Sequence, residues 1–260
     1  MNALTAVLLG AVQGLTEFLP VSSSGHLALA NNLLKIPQGD LFFEVVLHLG
    51  TLIAVMIFMR KKIFSLLTEG VKELNDKSKN EKENLKYIGY ILLGIIPAII
   101  FAIFFDEVIE DAFSNIRFIG VFFLITALML FLTKFFNGKS KVNLKNSVIV
   151  GIAQIIALFP GISRSGTTIS AGIFAGMDRE KACDFSFFMA IPLILGAFLK
   201  ELLSSSAVFN MNILFGFASS LIFGYISVVF LYKILKSNRF YYFSFYLTFV
   251  GLAAILRSMT

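Results

Sequence analysis

Along most of this chain the apolar positions do not alternate with polar ones; they run together. The uncharged stretches Tyr87–Phe105, Phe118–Thr133 and Phe240–Leu256 are 16 to 19 residues long, close to the ~20 that a helix needs to cross about 30 Å of hydrocarbon. The same reading predicts six full spans, at about 41–59, 86–105, 117–134, 182–200, 212–233 and 240–257. Two further apolar segments, 3–34 and 147–177, are each interrupted by a proline and a run of small polar residues. Neither reads as a simple crossing.

Charge placement gives the spans a direction. Arg60, Lys61, Lys62, Lys72, Lys77, Lys79, Lys82 and Lys86 fall in 60–86, four lysines and no acid in 134–145, and three cations in 233–239. Cationic loops stay on the cytoplasmic side. Asp106–Asp111 holds four carboxylates, and Glu201 is the sole charge in 201–212, so these two loops belong outside. Segment Ser147–Gly176 must then enter and return on the inner side, because Ala182–Leu199 rises from that side to the outer loop. Segment 3–34 begins and ends outside, because Leu41–Met59 descends to the Arg60 cluster. The expected fold is an all-α integral membrane protein, one polytopic membrane domain over 1–260, with about six transmembrane helices plus two re-entrant helix-loop-helix segments. The longest loop, 60–86, reads as charged and solvated, with partial helix at the interface. The opening residues MNALTAVLLGAVQG lack the basic n-region of a signal peptide, so they are expected to remain in the mature protein.

Composition agrees and narrows the function classes. The chain is 57% hydrophobic and 15% charged, with a mean hydropathy of +0.85, beyond the usage of soluble domains. A net charge of +6 would suit nucleic acid, but the cations sit in short breaks between apolar spans, where topology accounts for them. Cys183 is the single cysteine, which excludes an intramolecular disulfide and a cysteine-based metal site.

The two broken segments are related. Gln13 and Gln154, Phe18 and Phe159, Ser22 and Ser163, Ser24 and Ser165, and Gly25 and Gly166 are each 141 residues apart, and Pro20 matches Pro160 with a one-residue slip. Repeats inserted from opposite faces form an inverted-topology repeat, whose broken helices meet near the membrane interior and build a site there. Irregular backbone at that depth is tolerated only inside protein or along a wet cavity, so a polar cavity is expected between them.

The first segment reads Gln13-Gly-Leu-Thr-Glu17-Phe-Leu-Pro20-Val-Ser22-Ser23-Ser24-Gly25-His26. Gln13 and Glu17 share a helix face at a spacing of four. Pro20 ends or kinks that helix, and the small residues after it let backbone N–H groups turn inward as phosphate-binding loops do. His26 lies three past Ser23 and four past Ser22, within reach of either hydroxyl if the return starts as a helix. A carboxylate at membrane depth costs roughly 2.5 to 3.5 kcal/mol, which argues for a working role over a local cap. The second segment, Pro160-Gly161-Ile162-Ser163-Arg164-Ser165-Gly166-Thr167-Thr168, places one guanidinium among hydroxyls and glycines at a helix start. That combination suits a cluster of anionic oxygens: a bidentate fork, N–H donors and the positive end of a helix. The structural alternative for Arg164 is an ion pair with Glu17, which is compatible with phosphate binding because a resting pair could open for the anion. Glu44 and His48, also four apart, read either as lining the cavity or as an ordinary buried pair.

These two motifs, in this order and about 140 residues apart in a chain of this length, resemble the undecaprenyl-diphosphate phosphatase family, also known as bacitracin-resistance proteins. The resemblance covers essentially the whole chain. The family's first motif takes Glu or Gln and then Glu four later, here Gln13 and Glu17; its PGxSRSxxT motif is met at Pro160, Gly161, Ser163, Arg164, Ser165 and Thr168, and its histidine at His26. The resemblance implies hydrolysis of undecaprenyl diphosphate to the monophosphate carrier used in cell-wall assembly, hence bacitracin resistance, in a bacterial inner or plasma membrane with the site facing outside. It implies catalytic roles for Glu17, Ser23, His26 and Arg164, and phosphate binding by Ser22, Ser24, Gly161, Ser163, Ser165 and Thr168. Glu17, assisted by Gln13, would position a divalent cation, Mg²⁺ or Ca²⁺, or orient His26. Ser23 with His26 as base, or His26 itself, would accept the phosphoryl group. Expected partners are the lipid diphosphate, membrane lipids and a second copy in a homodimer, with no nucleic acid. The competing class is a transporter or flippase of prenyl-phosphate lipids, since inverted repeats with broken helices are the usual architecture of carriers.

Overall fold

The computed structural model describes residues 2–34, 41–75, 82–204 and 210–259. The described chain is helical: α1 (Ala3–Phe18), α2 (Ser23–Leu34), α3 (Leu41–Asn75), α4 (Glu83–Phe104), α5 (Asp106–Ser114), α6 (Ile116–Leu132), α7 (Leu144–Ile156), α8 (Arg164–Phe174), α9 (Arg179–Ser204), α10 (Met211–Lys236) and α11 (Phe243–Arg257). Among the described residues, six helices are long and apolar enough to cross a membrane: α3, α4, α6, α9, α10 and α11. They are the six predicted spans. The remaining long segments form two hairpins of short helices, α1–α2 and α7–α8. Their longest members, 16 and 13 residues, reach only about 24 and 20 Å at 1.5 Å per residue, short of a 30 Å core. Such lengths are consistent with the predicted re-entrant segments.

Local sequence accounts for where these helices begin. Asn2 accepts from the Thr5 N–H to cap α1, Asn143 and Asn146 form a reciprocal capping box at α7, and Ser163 accepts from the Gly166 N–H to cap α8. α1 ends at Leu19, the residue that Pro20 forces out of helical geometry.

The repeat extends into the packing. A Cβ on Gly10 of α1 would lie 2.3 Å from the Gly216 carbonyl of α10, and one on Gly151 of α7 would lie 2.7 Å from the Gly94 carbonyl of α4. Gly10 and Gly151 are themselves 141 apart. The first hairpin therefore docks on a helix of the second half, and the second hairpin docks on a helix of the first, through equivalent backbone contacts. Gly120 of α6 and Gly251 of α11 close a third such crossing, each Cβ position within 3 Å of the other's carbonyl. Lipid tails give apolar helices no reason to leave them, so close backbone approach at small residues carries much of the association. If the halves insert oppositely, single cysteines replacing Asn32 and Ala175 in a Cys183→Ser background will react with an impermeant thiol reagent from outside and inside respectively. Labelling of both from one side excludes inversion.

The structure departs from the expected loops in two places. The stretch after Arg60 is no solvated loop: α3 continues to Asn75, and the Glu73 carboxylate accepts from the Asn84 and Leu85 N–H groups to cap α4. Lys77 and Lys79 of the predicted basic loop, and 205–209 of the outer loop, lie outside the described residues. The acidic segment predicted as an outer loop folds as α5, with Asp106 and Glu107 in the first turn where the helix dipole favours them. Arg179 donates to the carbonyls of Thr133 and Phe136 and ties the end of α6 to α9.

Candidate active site

The breaks of the two hairpins touch. Between α1 and α2 the chain turns through Ser22, whose φ of +67° is the left-handed conformation a non-glycine residue adopts at a cost. Its hydroxyl accepts from the Gly25 N–H at 3.3 Å and from the Gly161 N–H of the other hairpin at 3.1 Å. Gly161 has φ +96° and no room for a Cβ, which would lie 2.6 Å from the Ile119 carbonyl. Ser165 donates to the Leu19 carbonyl at 3.2 Å, and Thr126 links the Gly161 carbonyl to the Ser163 N–H. The helix starts of α2 and α8 thus face one space, each with first-turn N–H groups that have no partner within their own helix.

Glu17 is the hub of that space. Its Oε1 accepts from the Arg164 guanidinium at 3.0 Å; its Oε2 accepts from the Ser23 hydroxyl at 2.6 Å and from the Gln13 amide at 3.0 Å. His48 Nε2 lies 3.6 Å from the same Oε2. The His48 Nδ1 donates to the Glu44 carbonyl at 2.9 Å, since a carbonyl only accepts, and its Nε2 turns to the Glu17 carboxylate. Arg164 is steadied by the Ser186 carbonyl, and the Ser186 hydroxyl meets Thr168 at 2.6 Å.

A cavity of about 270 Å³ is walled by Glu17, Ser22, Ser23, Ser24, His48, Ser163 and Arg164, with Ala98, Phe113, Leu158 and Leu193 on its apolar sides. Of the expected phosphate-binding residues, Gly161, Ser165 and Thr168 do not line it; they brace the loop that does. Gln13 stands behind Glu17. His26 is not beside the Ser23 hydroxyl: its Nδ1 is 2.8 Å from the Ser22 carbonyl, and its Nε2 is 2.8 Å from the Tyr246 hydroxyl of α11, on which the ring stacks. His48 occupies the place expected of a cavity histidine. Gln154, the repeat mate of Gln13, lines the wall as well, a position the 141-residue spacing already marked. Ser186 and Tyr246 carry no sequence signal, since only α9 and α11 packing brings them here.

A resident metal ion fits poorly. Both Glu17 oxygens are taken by donors, Gln13 offers one buried free oxygen, and among the described residues no group of three or more His, Cys, Asp or Glu side chains could hold a cation.

The family model for the bacitracin resistance protein BacA matches residues 6–253. This chain belongs to that family. Among its relatives are proteins named undecaprenyl-diphosphatase. The one from Korarchaeum cryptofilum is 39% identical over 98% of this chain and 99% of its own. That from Methanosphaera stadtmanae is 38% identical over 100% and 99%, and that from Treponema denticola is 40% identical over 97% and 96%. The chain and each of these relatives match over nearly their whole lengths.

Proposed function

We propose that this protein is a phosphatase that hydrolyses undecaprenyl diphosphate to undecaprenyl phosphate and inorganic phosphate, recycling the lipid carrier of cell-wall synthesis and conferring bacitracin resistance. The observation that carries the reading is the Ser23 hydroxyl donating to Glu17 while the other oxygen of Glu17 holds Arg164, at the meeting point of two helix starts. A hydroxyl bonded to a carboxylate and facing a guanidinium is a nucleophile, a base and a phosphate clamp in one cavity.

At rest Arg164 and Glu17 neutralise each other. A terminal phosphoryl group entering the cavity offers oxygens to the Arg164 fork and to the N–H groups opening α2 and α8, and draws the guanidinium from Glu17. Glu17, relieved of its cation, becomes the stronger base while still accepting from Ser23. Ser23 Oγ attacks the terminal phosphorus and its proton passes to Glu17; the bond to the bridging oxygen breaks, and undecaprenyl phosphate leaves with the electron pair. Water then attacks the phosphoserine, Glu17 returns its proton to Ser23 Oγ, and the proton lost by water leaves through the cavity mouth. His48, facing the same carboxylate at 3.6 Å, is placed to receive it. His26 supports the turn from outside the cavity in this version. Mg²⁺ or Ca²⁺ would enter with the diphosphate and draw most of its ligands from it, as magnesium does at phosphate sites.

The prenyl tail lies along the apolar spans, and the cavity faces outside by the charge rule that places Arg60–Lys62 inside. A flippase has no use for the Ser23–Glu17 pair. Purified protein given undecaprenyl diphosphate should release one phosphate per lipid, and failure to do so with or without added Mg²⁺ or Ca²⁺ sinks the reading. Arg164→Lys keeps the charge and loses the two-pronged geometry, so turnover should fall about tenfold, some 1.4 kcal/mol of barrier. A phosphate-release rate within twofold of the parent would show that the fork is dispensable.

A further inference from the structure

The catalytic cavity is not the largest hollow in this protein. A second one of about 510 Å³ opens where the apolar lengths of α3 and α10 end, lined by Ile57, Phe58, Met59, Tyr225 and Tyr232 below and by Arg60, Lys61, Lys62, Lys236 and Glu180 at its rim. His48 of the catalytic cavity and Arg60 of this one are twelve residues apart on α3, roughly 18 Å along the axis, so the two spaces are separate.

The four rim cations are not equivalent. Lys62 donates to both oxygens of the buried Asp184 at 2.6 Å, and Tyr232 donates to the same carboxylate. Lys236 lies 3.9 Å from Glu180. Arg60 and Lys61 have no carboxylate partner among the described residues. The pocket therefore presents two uncompensated cations above an apolar, aromatic floor. Beside that floor the helix faces are exposed and apolar, with Ile57, Tyr225, Ile226 and Phe230 all between 39 and 51% accessible. A ligand that complements this arrangement has a small anionic head and an apolar tail running down the span.

We propose that this pocket binds an anionic phospholipid of the surrounding bilayer, its phosphodiester held by Arg60 and Lys61 and its acyl chains lying between α3 and α10. Basic pockets between transmembrane helices at the membrane edge are suited to phosphate head groups, and an arginine gives the paired hydrogen bonds a phosphate accepts. The paired cations Lys62 and Lys236 close the sides without adding net charge, which fits a singly charged diester better than a more highly charged group.

The chain contains no tryptophan, so Tyr225→Trp places one fluorophore on the pocket wall. In phosphatidylcholine vesicles carrying either brominated phosphatidylglycerol or brominated phosphatidylcholine, the glycerol lipid should reach half-maximal quenching at about a tenfold lower mole fraction. Adding Arg60→Gln and Lys61→Gln should erase that preference while leaving quenching by phosphatidylcholine, and phosphate release from lipid diphosphate, as in the parent. Native mass spectrometry of the unaltered chain should show retained phosphatidylglycerol that the double variant lacks. Equal quenching by the two lipids, or a preference that survives the double variant, overturns the proposal. So does loss of quenching on adding millimolar inorganic phosphate, which would make free phosphate the ligand.

Discussion

Ser23→Ala should reduce phosphate release from undecaprenyl diphosphate by about a thousandfold or more, equivalent to roughly 4 kcal/mol of barrier, with diphosphate binding nearly unchanged. The loss is large because the hydroxyl 2.6 Å from Glu17 is the attacking atom, whereas Arg164 and the starts of α2 and α8 supply the binding. Binding of a non-hydrolysable diphosphate analogue separates the two quantities. His26→Ala should be milder, about tenfold, because its ring nitrogens are committed to the Ser22 carbonyl and to Tyr246 rather than to the nucleophile. The trapped intermediate should survive acid and hydrolyse in base, as a phosphoserine does. If His26→Ala is dead at every pH while Ser23→Ala turns over, and the intermediate is acid-labile, the acceptor is His26 and the proposed centre is wrong.

Glu17→Gln should separate chemistry from binding in the opposite sense. The amide keeps the shape and can still bond to Ser23, but it cannot accept the serine proton, so kcat should fall about a hundredfold to ten-thousandfold, the usual range for a general base. Arg164 meanwhile loses the counter-ion that holds it at 3.0 Å, and no longer has to leave a carboxylate to meet phosphate. KM should therefore stay level or drop while kcat collapses. A rise in KM with kcat preserved would assign Glu17 to substrate binding alone. The Arg164–Glu17 pair is then a resting lock released by substrate, and high salt should affect it little because both side chains are mostly buried.

Much of this protein was legible in its sequence because the bilayer imposes strict rules on short stretches of chain. An uncharged run near twenty residues long has few structural options, and all six predicted spans are helices. The 141-residue spacing from Gln13 to Gln154 marked both hairpins, and the Gly10–Gly216 and Gly151–Gly94 contacts give that spacing a physical meaning in exchanged docking partners. A Glu17–Arg164 pair was one reading of Arg164 from the sequence, beside phosphate binding, and the structure joins the two side chains, as a carboxylate and a guanidinium in apolar surroundings require. Chemistry confined to one segment, or forced by burial, is written in composition and order.

What the sequence left open were directions in space. His26 does begin the return as part of a helix, three past Ser23, yet spacing along a helix says only which neighbours are near. The ring takes the Ser22 carbonyl and turns to Tyr246, 220 residues on, because α11 packs beside that face. Spacing left His48 either lining the cavity or paired with Glu44, and α3 carries its Nε2 to Glu17 and into the cavity. The stretch after Arg60 read as a loop from its charge, which cannot distinguish a solvated coil from the end of a long helix; Glu73 capping α4 decided it. A bilayer determines which segments enter it, and short-range spacing determines which residues share a face. Only the packing of helices far apart in the chain decides which face meets which, and therefore which histidine stands beside the carboxylate.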